Sequence, residues 1–400
     1  MNKKRIAIVG AGLSGLIAAK HLSKKRFYVT VFEKENRPGG RMLTDEIGGW
    51  KLDRGFQVLL TGYPYLKKNV DFTHLDLIYL DSGATIIKDS GNQVIGDPMR
   101  DLKLLFPTLF ASVASVKDKL LIVKLRNEVK QKSIDQLFEV ANQSTDAFFK
   151  EYGFSKRVVD NFFRPFYAGI FLEDELSTSS RMFLFVFKMF AEGRAAIPKG
   201  GIGKLAQKIV EELKDVDFKF NTEVLEIKDN KVFFDSTEAQ FDVIINTNPS
   251  FNIDKSVKWK NSHVFYVEHS GSPIINDPRI GLISEPNRLI NNIFYATATQ
   301  SNYSSKKNLL SLTVVNDRGM SAKQLKEAVL KECKNLVKEE VEFVHHFAIP
   351  QSLPDLKSPQ NEIELCMRDG IIHIGDYLLN GSQNAACKIG EQVAAFLNES

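Results

Sequence analysis

Residues 6–15 read IAIVGAGLSG and decide the fold of this 400-residue chain. The apolar half predicts a buried strand, and the glycines that follow have the Gly-x-Gly-x-x-Gly spacing. Gly10 allows a tight turn, Gly12 lets the backbone approach a pyrophosphate, and Gly15 lets the next helix pack on the strand. The stretch therefore predicts the strand, turn and helix of a dinucleotide-binding unit.

The residues after this motif complete a unit of the expected ~30-residue length. Apolar residues recur at helical spacing over 16–22, and a second apolar run over 27–32 ends at Glu33. The helix start presents N–H groups and a positive dipole end to phosphates, so Leu13 and Ser14 are candidate contacts. The Glu33 carboxylate can accept hydrogen bonds from both ribose hydroxyls and would repel a 2′-phosphate, which disfavours NADP.

An arginine-flanked glycine pair indicates a flavin rather than a nicotinamide dinucleotide. Residues 37–41 read RPGGR. The backbone of Gly39 and Gly40 can lie flat against a ligand, while the guanidinium of Arg41 can pair with a diphosphate. Cofactor contacts are also predicted at Lys34, Gly55, Phe56 and Val224.

A second flavin signature is predicted near residue 375. Residues 371–376, IIHIGD, form a short apolar run that ends in Gly-Asp. Gly375 permits close approach of the backbone, and Asp376 can accept hydrogen bonds from a ribityl chain. The helix that follows would point its N-terminus, with Asn384 and Ala385, at the pyrimidine edge of an isoalloxazine and stabilise charge on the reduced ring.

With these motifs the chain resembles the flavin-containing amine oxidase superfamily, which includes monoamine and polyamine oxidases, protoporphyrinogen oxidase and carotenoid desaturases. The resemblance is strongest over residues 5–60 and returns in ordered blocks at 197–205, 221–227, 241–249 and 371–397. The blocks at 221–227 and 241–249 resemble two strands of the nucleotide-binding domain. The resemblance implies FAD as the cofactor. No cysteine stands where amine oxidases attach flavin covalently, so noncovalent FAD is expected.

The predicted fold class is α/β, with two interleaved domains: a Rossmann-like FAD-binding domain, and a mixed α+β substrate domain that carries a helical subdomain. The FAD-binding domain is predicted over 1–95, 196–250 and 360–400. Residues 96–195 are predicted to be mostly helical, and 251–359 to form the sheet of the substrate domain. Individual helices are predicted over 102–125, 134–149 and 321–338, and strands over 263–267 and 309–315.

Phenylalanines concentrate between residues 138 and 190. Most are expected to fill the core of the helical subdomain, because large aromatic side chains are mostly buried. Since such a subdomain caps the flavin in the resembled family, some should line a cavity for an apolar substrate. Arg164 could neutralise a substrate carboxylate there, or form a salt bridge with Glu173 or Asp174. The candidate pocket residues are Arg164, Phe166, Tyr167, His263 and Phe265.

Two departures from the amine oxidases bear on the reaction. Many of those enzymes hold a water near flavin N5 with a lysine on a substrate-domain strand, and residues 261–266 have no obvious equivalent. Leu379 and Asn380 stand where a cage aromatic would precede Gly381. We therefore favour hydride removal from a C–H bond of an apolar substrate, as in a desaturase, dehydrogenase or protoporphyrinogen oxidase. Amine oxidation at a CH–NH bond, and a noncatalytic FAD-containing binding protein, remain alternatives.

Composition narrows the partners and the compartment. The net charge of +4 is small and dispersed, so no nucleic acid partner is expected. Three cysteines without a Cys-x-x-Cys pair indicate a reducing compartment with no disulfide framework. No metal is expected, since His345 and His346 are neighbours on a predicted strand and face opposite ways. The sequence leaves the oligomeric state open.

The expected location is the cytoplasm. The charged start at residues 1–5 leads directly into the first predicted strand, so no cleavable signal is expected. No apolar stretch reaches the ~20 residues that span a bilayer. Residues 104–132 combine apolar and basic side chains, which is typical of a solvated helix face or of a weak peripheral membrane contact.

Overall fold

The computed structural model describes residues 3–23, 27–96, 112–251, 257–300 and 307–399. The strands are β1 (Lys4–Val9), β2 (Phe27–Phe32), β3 (Thr44–Ile47), β4 (Trp50–Asp53), β5 (Leu59–Leu60), β6 (Leu77–Tyr79), β7 (Ala84–Ile87), β8 (Gln93–Ile95), β9 (Ala195–Pro198), β10 (Val216–Lys219), β11 (Glu226–Lys228), β12 (Lys231–Phe233), β13 (Glu238–Gln240), β14 (Val243–Asn246), β15 (Trp259–His269), β16 (Ile280–Ile283), β17 (Asn292–Tyr295), β18 (Asn308–Val314), β19 (Glu342–Pro354), β20 (Met367–Arg368) and β21 (Ile371–His373).

The α-helices of the same residues are α1 (Leu13–Ser23), α2 (Pro64–Asn69), α3 (Val116–Gln131), α4 (Ile134–Glu139), α5 (Thr145–Tyr152), α6 (Arg164–Phe171), α7 (Ser180–Glu192), α8 (Lys204–Glu212), α9 (Ala322–Val337) and α10 (Gln383–Glu399). A short turn of α-helix, Lys156–Val158, and a π-helical turn, Val159–Phe163, lead into α6. Short 3-10 turns are Phe72–His74, Pro249–Phe251, Ala296–Thr299 and Asp376–Leu378.

A six-stranded sheet carries the dinucleotide-binding unit. Its strand order is β10-β2-β1-β14-β21-β20, and all neighbours are parallel except β20 and β21. Consecutive parallel strands need a crossover, which α1 supplies between β1 and β2. Both α1 and α10 bury an apolar face against this sheet, and their residues share one core with β1 and β21. A parallel sheet with a crossover helix is the Rossmann-like arrangement that the sequence predicts.

A second, seven-stranded sheet has the order β19-β15-β18-β17-β16-β7-β8. Its strands β15–β19 come from the segment predicted as the sheet part of the substrate domain. Strands β7 and β8 come from residues 84–95, which the sequence analysis places in the FAD-binding segment, and β7 pairs with β16 in parallel. The structure therefore places residues 84–95 in the sheet of the substrate domain and not in the FAD-binding segment. The sequence of β7 alone does not reveal that its partner is β16, almost 200 residues away.

The helices α3–α7 form a layer between 116 and 192 that the aromatic side chains fill. Phe149, Phe163 and Phe183 are fully buried and contact one another, with ring centroids 4.7–6.1 Å apart. Most of the phenylalanine-rich segment is therefore core, as its composition predicts. Of the predicted helix over 102–125, residues 97–111 lie outside the described part, and 112–115 form a turn that Ser115 closes as the N-cap of α3.

Local polar residues also divide two other predicted elements. The helix expected over 134–149 is two helices, because Ser144 caps α5 by accepting a hydrogen bond from the Ala147 N–H at 3.1 Å. The strand expected over 221–227 begins only at Glu226. Asn221 has a left-handed φ of +52°, and its N–H donates to the Glu35 carbonyl, so this segment joins the end of β2 instead of a sheet.

Candidate active site

The turn between β1 and α1 is built by glycine. Gly10 has a φ of +104°, and its N–H donates to the Phe32 carbonyl at 2.8 Å, which joins the ends of β1 and β2. A β-carbon at Gly15 would overlap the Gly10 carbonyl oxygen, so only glycine lets α1 approach the strand this closely. The N-terminus of α1, with Leu13 and Ser14, faces a large cavity.

The second glycine pair lies directly against the first. A β-carbon at Gly40 would stand 3.1 Å from the Gly12 Cα, and the Gly39 N–H donates to the Ala11 carbonyl at 3.0 Å. Gly12, Gly39 and Gly40 all line the cavity. Two backbone segments without side chains thus form one continuous wall, which is the surface that a pyrophosphate needs.

Glu33 lies at the end of β2 and is 7% exposed. Its two carboxylate oxygens accept hydrogen bonds from the Ala11 N–H at 2.8 Å and from the Glu35 N–H at 3.0 Å. Each oxygen has a further lone pair for a ligand hydroxyl. Glu33 and Lys34 line the cavity, and so does Val224, which packs with Phe32 beside them.

Arg41 and Asp376 come together across the cavity wall. The guanidinium of Arg41 forms an ion pair with the Asp376 carboxylate, and it also lies 5.4 Å from the Trp259 ring centroid. Both residues line the cavity, together with Gly375. The motifs predict a diphosphate contact for Arg41 and a ribityl contact for Asp376, and in the structure the two side chains also contact each other.

The start of α10 differs from the expectation. The N–H of Ala385 donates to the Ser382 hydroxyl at 3.0 Å, and the side-chain oxygen of Asn384 accepts from the Tyr65 N–H at 2.9 Å. Neither Asn384 nor Ala385 lines the cavity; the Asn384 oxygen joins the helix to α2, and the Ala385 N–H is used in capping the helix. Ser382 and Gln383 are the residues that face the cavity instead.

Gln383 leaves an acceptor at this wall. Its side-chain nitrogen donates to the Val58 carbonyl at 3.3 Å. Its side-chain oxygen is buried and accepts no hydrogen bond from any described residue. A buried acceptor without a partner is costly, so a ligand with an N–H donor would satisfy it.

The cavity is about 1030 Å³ in volume and connects the glycine wall to the helical layer. Gly55 and Phe56 line it where the two parts meet, and Phe56 packs on Phe294 with a centroid distance of 5.2 Å. The far part is walled mainly by aromatic and aliphatic side chains: Phe162, Phe163, Phe166, Tyr167, Ile170, Phe171, Met182, Val186, Phe187 and Phe190.

Three of the five predicted pocket residues lie at this wall, namely Phe166, Tyr167 and His263. Phe265 does not. Val264 lines the cavity, whereas the Phe265 ring stacks on the His346 ring, with 4.0 Å between the ring centroids, next to the core around α9.

Arg164 also lies outside the cavity lining. Its guanidinium donates to the Asp146 carboxylate at 2.9 Å, to the Asp160 carboxylate at 3.4 Å and to the Asp174 carbonyl at 3.1 Å. The salt bridge expected with Glu173 or Asp174 is therefore formed with two other carboxylates, on the preceding helices. These contacts use the charge of Arg164, so a role on a substrate carboxylate is not supported.

Glu173 pairs instead with Lys260 on β15, at 2.6 Å, and both side chains are nearly buried. Hydrogen bonds from Lys260, the Thr178 N–H and the Ser177 hydroxyl outweigh the desolvation of Glu173 and lower its pKa. Lys260 lines the cavity. It lies one residue before the segment 261–266, in which the sequence shows no lysine. Its ammonium is held away from any ligand by this ion pair.

His263 of β15 forms a pair with His346 of the neighbouring strand β19. His263 Nδ1 and His346 Nε2 are 2.9 Å apart, and the other ring nitrogen of His263 is 3.5 Å from the Asp317 carboxylate. Burial, and then the positive fields of His263, His345 and Lys326, lower the pKa of His346 to about 4. Across the described ranges, no group of three or more histidine, cysteine or acidic side chains could hold a metal ion.

Residues at the carboxyl end of β14 were missed as site residues. Thr247, Asn248 and Pro249 line the cavity, and a β-carbon at Gly10 would overlap the Thr247 hydroxyl. Carboxyl ends of adjacent parallel strands meet at one edge of a sheet. Since β14 pairs with β1, this rule would have identified Thr247 from the predicted strand over 241–249.

The parallel sheet, the glycine wall and the adjoining apolar cavity are together typical of oxidoreductases that bind a dinucleotide cofactor. A family profile described as flavin containing amine oxidoreductase matches residues 13–348, so the chain belongs to that family of flavin-dependent oxidoreductases. None of the helices in the described residues combines the length and hydropathy needed to cross a bilayer.

The chain is 29% identical over 183 residues to protoporphyrinogen oxidase 2 of Arabidopsis thaliana, which covers 44% of this chain and 34% of that protein. It is 44% identical over 52 residues to 1-hydroxycarotenoid 3,4-desaturase of Flavobacterium sp. (strain P99-3), and this match covers 13% of this chain and 11% of that protein. The matched segments thus span at most about a third of these relatives' length.

A solved structure of putrescine oxidase bound to putrescine shares the fold. Its TM-score is 0.68 at 16% identity, and the match covers 99% of both chains. A protoporphyrinogen oxidase and a carotenoid desaturase are therefore similar to parts of this chain in sequence, and a putrescine oxidase is similar to it in fold.

Proposed function

We propose that the chain is a noncovalent FAD enzyme that removes a hydride from a C–H bond of an apolar substrate. The observation that carries this proposal is the continuity of the cavity, which runs from the glycine wall to the phenylalanine-rich layer. A long hydrocarbon or a macrocycle gains about 25 cal/mol for each Å² of apolar surface that such a cavity buries.

The residues at the glycine wall fit FAD. Gly12 and Gly40 leave room for a diphosphate, Glu33 offers free lone pairs to a ribose, and the buried oxygen of Gln383 offers an acceptor to an N–H group. When bound, the flavin supplies the hydride acceptor. The protein's own contribution is orientation and water exclusion, because the aromatic side chains surround the adjoining space.

Acidic residues are arranged in a way that favours an uncharged reacting centre over an ammonium. The acidic residues of the described cavity wall are Glu33, Asp81, Glu223 and Asp376. Glu33, Asp376 and Glu223, which follows the residue that donates to the Glu33 carbonyl, belong to the cofactor half, and Asp81 accepts a hydrogen bond from Arg279 at 3.3 Å. A substrate ammonium in the aromatic part would lose its hydration without gaining a free carboxylate there.

Anaerobic reduction of the bound flavin tests the proposal. The holoprotein is mixed with a polyene, a porphyrinogen and a diamine under argon, and loss of the oxidised flavin absorbance is followed. We expect bleaching by the polyene or the porphyrinogen. Bleaching by the diamine alone would establish amine oxidation, and a flavin that none of the three reduces would favour the noncatalytic alternative.

The outer face of α3 supports a weak peripheral membrane contact as part of this proposal. Val116, Leu120 and Val123 are 68%, 67% and 45% exposed, at positions that share one face of the helix. Exposed lysines lie beside them, at Lys117 and Lys124. Because Val123 also lines the cavity, a lipophilic substrate could pass from a bilayer surface into the cavity.

Sedimentation with vesicles tests this contact. We expect the holoprotein to bind vesicles that contain phosphatidylglycerol more than vesicles of phosphatidylcholine alone, because the lysines attract anionic lipid. Leu120→Glu should weaken the binding, while Leu225→Glu, at a 50% exposed leucine elsewhere, should not. Equal binding of both variants would contradict a contact through α3.

A further inference from the structure

The far end of the cavity lies between two packed helices that present matching faces. Lys119, Ile122, Val123 and Arg126 of α3 line it on one side, and Phe187, Phe190 and Ala191 of α7 line it on the other, with Arg194 directly after the helix. Both sets follow the spacing of one helix face. Each face therefore runs from apolar side chains to an arginine.

Arg194 is held in place by its backbone and by its ring contact. Its N–H donates to the Thr61 hydroxyl at 2.8 Å, and its carbonyl accepts from the Thr61 N–H at 2.9 Å. The guanidinium carbon lies 4.5 Å from the Tyr79 ring centroid. This stacking orients the planar group and leaves its N–H donors free to point along its edges.

Three other basic residues at the cavity wall have acidic partners. Arg41 pairs with Asp376, Arg54 with Asp45, and Lys260 with Glu173. Within the described ranges no carboxylate forms an ion pair with Arg194, which is exposed and lines the cavity. Lys119 and Arg126 have interactions of their own and add positive charge to the same end.

We infer that Arg194 binds the carboxylate of an amphiphilic substrate or ligand whose apolar body lies among Phe166, Phe187 and Phe190. This inference rests on the proposed function, because it names the substrate class for the same cavity. An arginine fork matches the two oxygens of a carboxylate, and the aromatic walls match an unbranched or cyclic hydrocarbon. The role that the sequence suggests for Arg164 thus belongs to Arg194.

Binding of three 18-carbon probes tests the inference without any turnover. Oleate, oleyl alcohol and oleylamine are titrated into the holoprotein below their critical micelle concentrations, and affinity is measured by calorimetry. We expect oleate to bind about tenfold more tightly than oleyl alcohol, because one charge-assisted pair is gained. Oleylamine should bind most weakly, since Arg194 repels it.

Arg194→Gln should remove the preference for oleate, and Arg194→Lys should keep part of it. Arg164→Gln is the matched control, since Arg164 is also surrounded by aromatic residues but is paired with Asp146 and Asp160, and it should leave the preference unchanged. Flavin content and thermal unfolding are recorded for each variant, and Arg157→Gln, at an exposed arginine of the same layer, replaces the control if Arg164→Gln does not fold.

The outcomes separate this inference from the proposed function. An oleate preference that survives in Arg194→Gln, or no preference in the wild type, overturns the inference even if the flavin is reduced by a polyene. A preference that depends on Arg194 supports it even if no substrate reduces the flavin. If Arg194→Gln weakens binding to phosphatidylglycerol vesicles and leaves oleate unaffected, the anion is a lipid headgroup and the inference is wrong.

Discussion

The glycine wall and the aromatic cavity are two halves of one space that use different parts of the chain. The wall is made of backbone: Gly12 lies in the turn after β1, and Gly39 and Gly40 lie directly against that turn. The cavity is made of side chains from α3, α6, α7 and β15, which tertiary packing brings together. A β-carbon at Gly10, Gly15 or Gly39 would overlap neighbouring atoms of the first half, whereas the second half can adapt its shape to a different substrate.

The largest loss of FAD affinity is expected from one methyl group added where α1 packs against the glycine turn. In Gly15→Ala the new β-carbon meets the Gly10 carbonyl, which is backbone and cannot move away. Overpacking costs about 3 kcal/mol at its upper range, so FAD affinity should fall about a hundredfold. Titration of apoprotein with FAD, followed by flavin fluorescence, measures this.

Gly48→Ala is the control for that variant. Gly48 has a φ of +59°, but no atom lies within 4 Å of the position of a β-carbon. The change should cost about 1 kcal/mol of stability and leave FAD affinity intact. If both variants lose FAD equally, backbone strain rather than close approach explains the glycines, and the contrast between wall and cavity fails.

Substitutions of Glu33 and Arg41 should both lower FAD affinity, the first by removing hydrogen bonds to a charged acceptor and the second by removing a positive charge. Glu33→Gln loses a charged acceptor, and hydrogen bonds to charged groups contribute about 2 kcal/mol, so we expect about a thirtyfold loss. Arg41→Gln removes a charge that Asp376 partly offsets, and its effect should shrink as salt is raised. Titrations in low and high salt check this, and an Arg41→Gln loss that stays constant with salt would contradict a diphosphate contact.

The cavity half should respond in turnover and not in FAD binding. Phe166 is partly exposed to the cavity, and Phe166→Ala should lower kcat/KM for a lipophilic substrate about tenfold through lost apolar contact. Phe149→Ala is the matched core variant, because Phe149 is fully buried away from the lining. It should cost about 3–5 kcal/mol of stability and leave kcat/KM unchanged in the folded fraction.

Tyr167 is a less clean probe than the sequence suggests. It lines the cavity, but it is 1% exposed and packs on Phe183 at 4.9 Å, and burial raises the pKa of its hydroxyl well above the ordinary value. Tyr167→Ala therefore combines a cavity effect with a core effect. A loss of activity in Phe166→Ala without a loss of stability is the result that assigns the aromatic layer to a substrate.

The contrast between a backbone wall and a side-chain cavity also explains which features could be predicted from the sequence. The strand β2 and the helix α9 follow from local spacing, and the structure confirms them almost to the residue. The close approach at Gly15 follows from the motif alone. In contrast, the alternation of β15 was recognised, but whether Val264 or Phe265 faces the cavity depends on the core under α9. The sequence alone also does not show that Asp146 and Asp160 pair with Arg164, whereas no carboxylate of the described residues pairs with Arg194.

The smallest expected effect concerns the boundary between the two halves, where Asp53 joins the β3–β4 hairpin to the turn before α8. Its carboxylate accepts hydrogen bonds from the Thr44 hydroxyl at 2.6 Å and the Ile202 N–H at 3.0 Å. Burial outweighs both hydrogen bonds and raises the pKa of Asp53 to about 6. The folded state therefore holds a proton that the unfolded state releases between pH 3.8 and 6.

A group with a raised pKa stabilises the fold below its unfolded value and loses that contribution as pH rises through the folded value. From pH 5 to 7 the Asp53 contribution should fall by about 1 kcal/mol. His346 acts with the opposite sign, because its lowered pKa of about 4 makes protonation favour the unfolded state below pH 6.5. The total stability therefore does not isolate either group, and the difference between two proteins is needed.

Asp53→Asn supplies that difference, since its side-chain oxygen can still accept from Thr44 and Ile202 and it cannot ionise. Relative to wild type, the variant should gain about 1 kcal/mol between pH 5 and pH 7, measured by urea unfolding of the holoprotein. The His346 contribution cancels because both proteins contain it. A difference in stability that stays constant or falls as pH rises would show that Asp53 is ionised in the folded protein. The β3–β4 hairpin would then be held to the turn before α8 by a carboxylate rather than by a neutral carboxyl group.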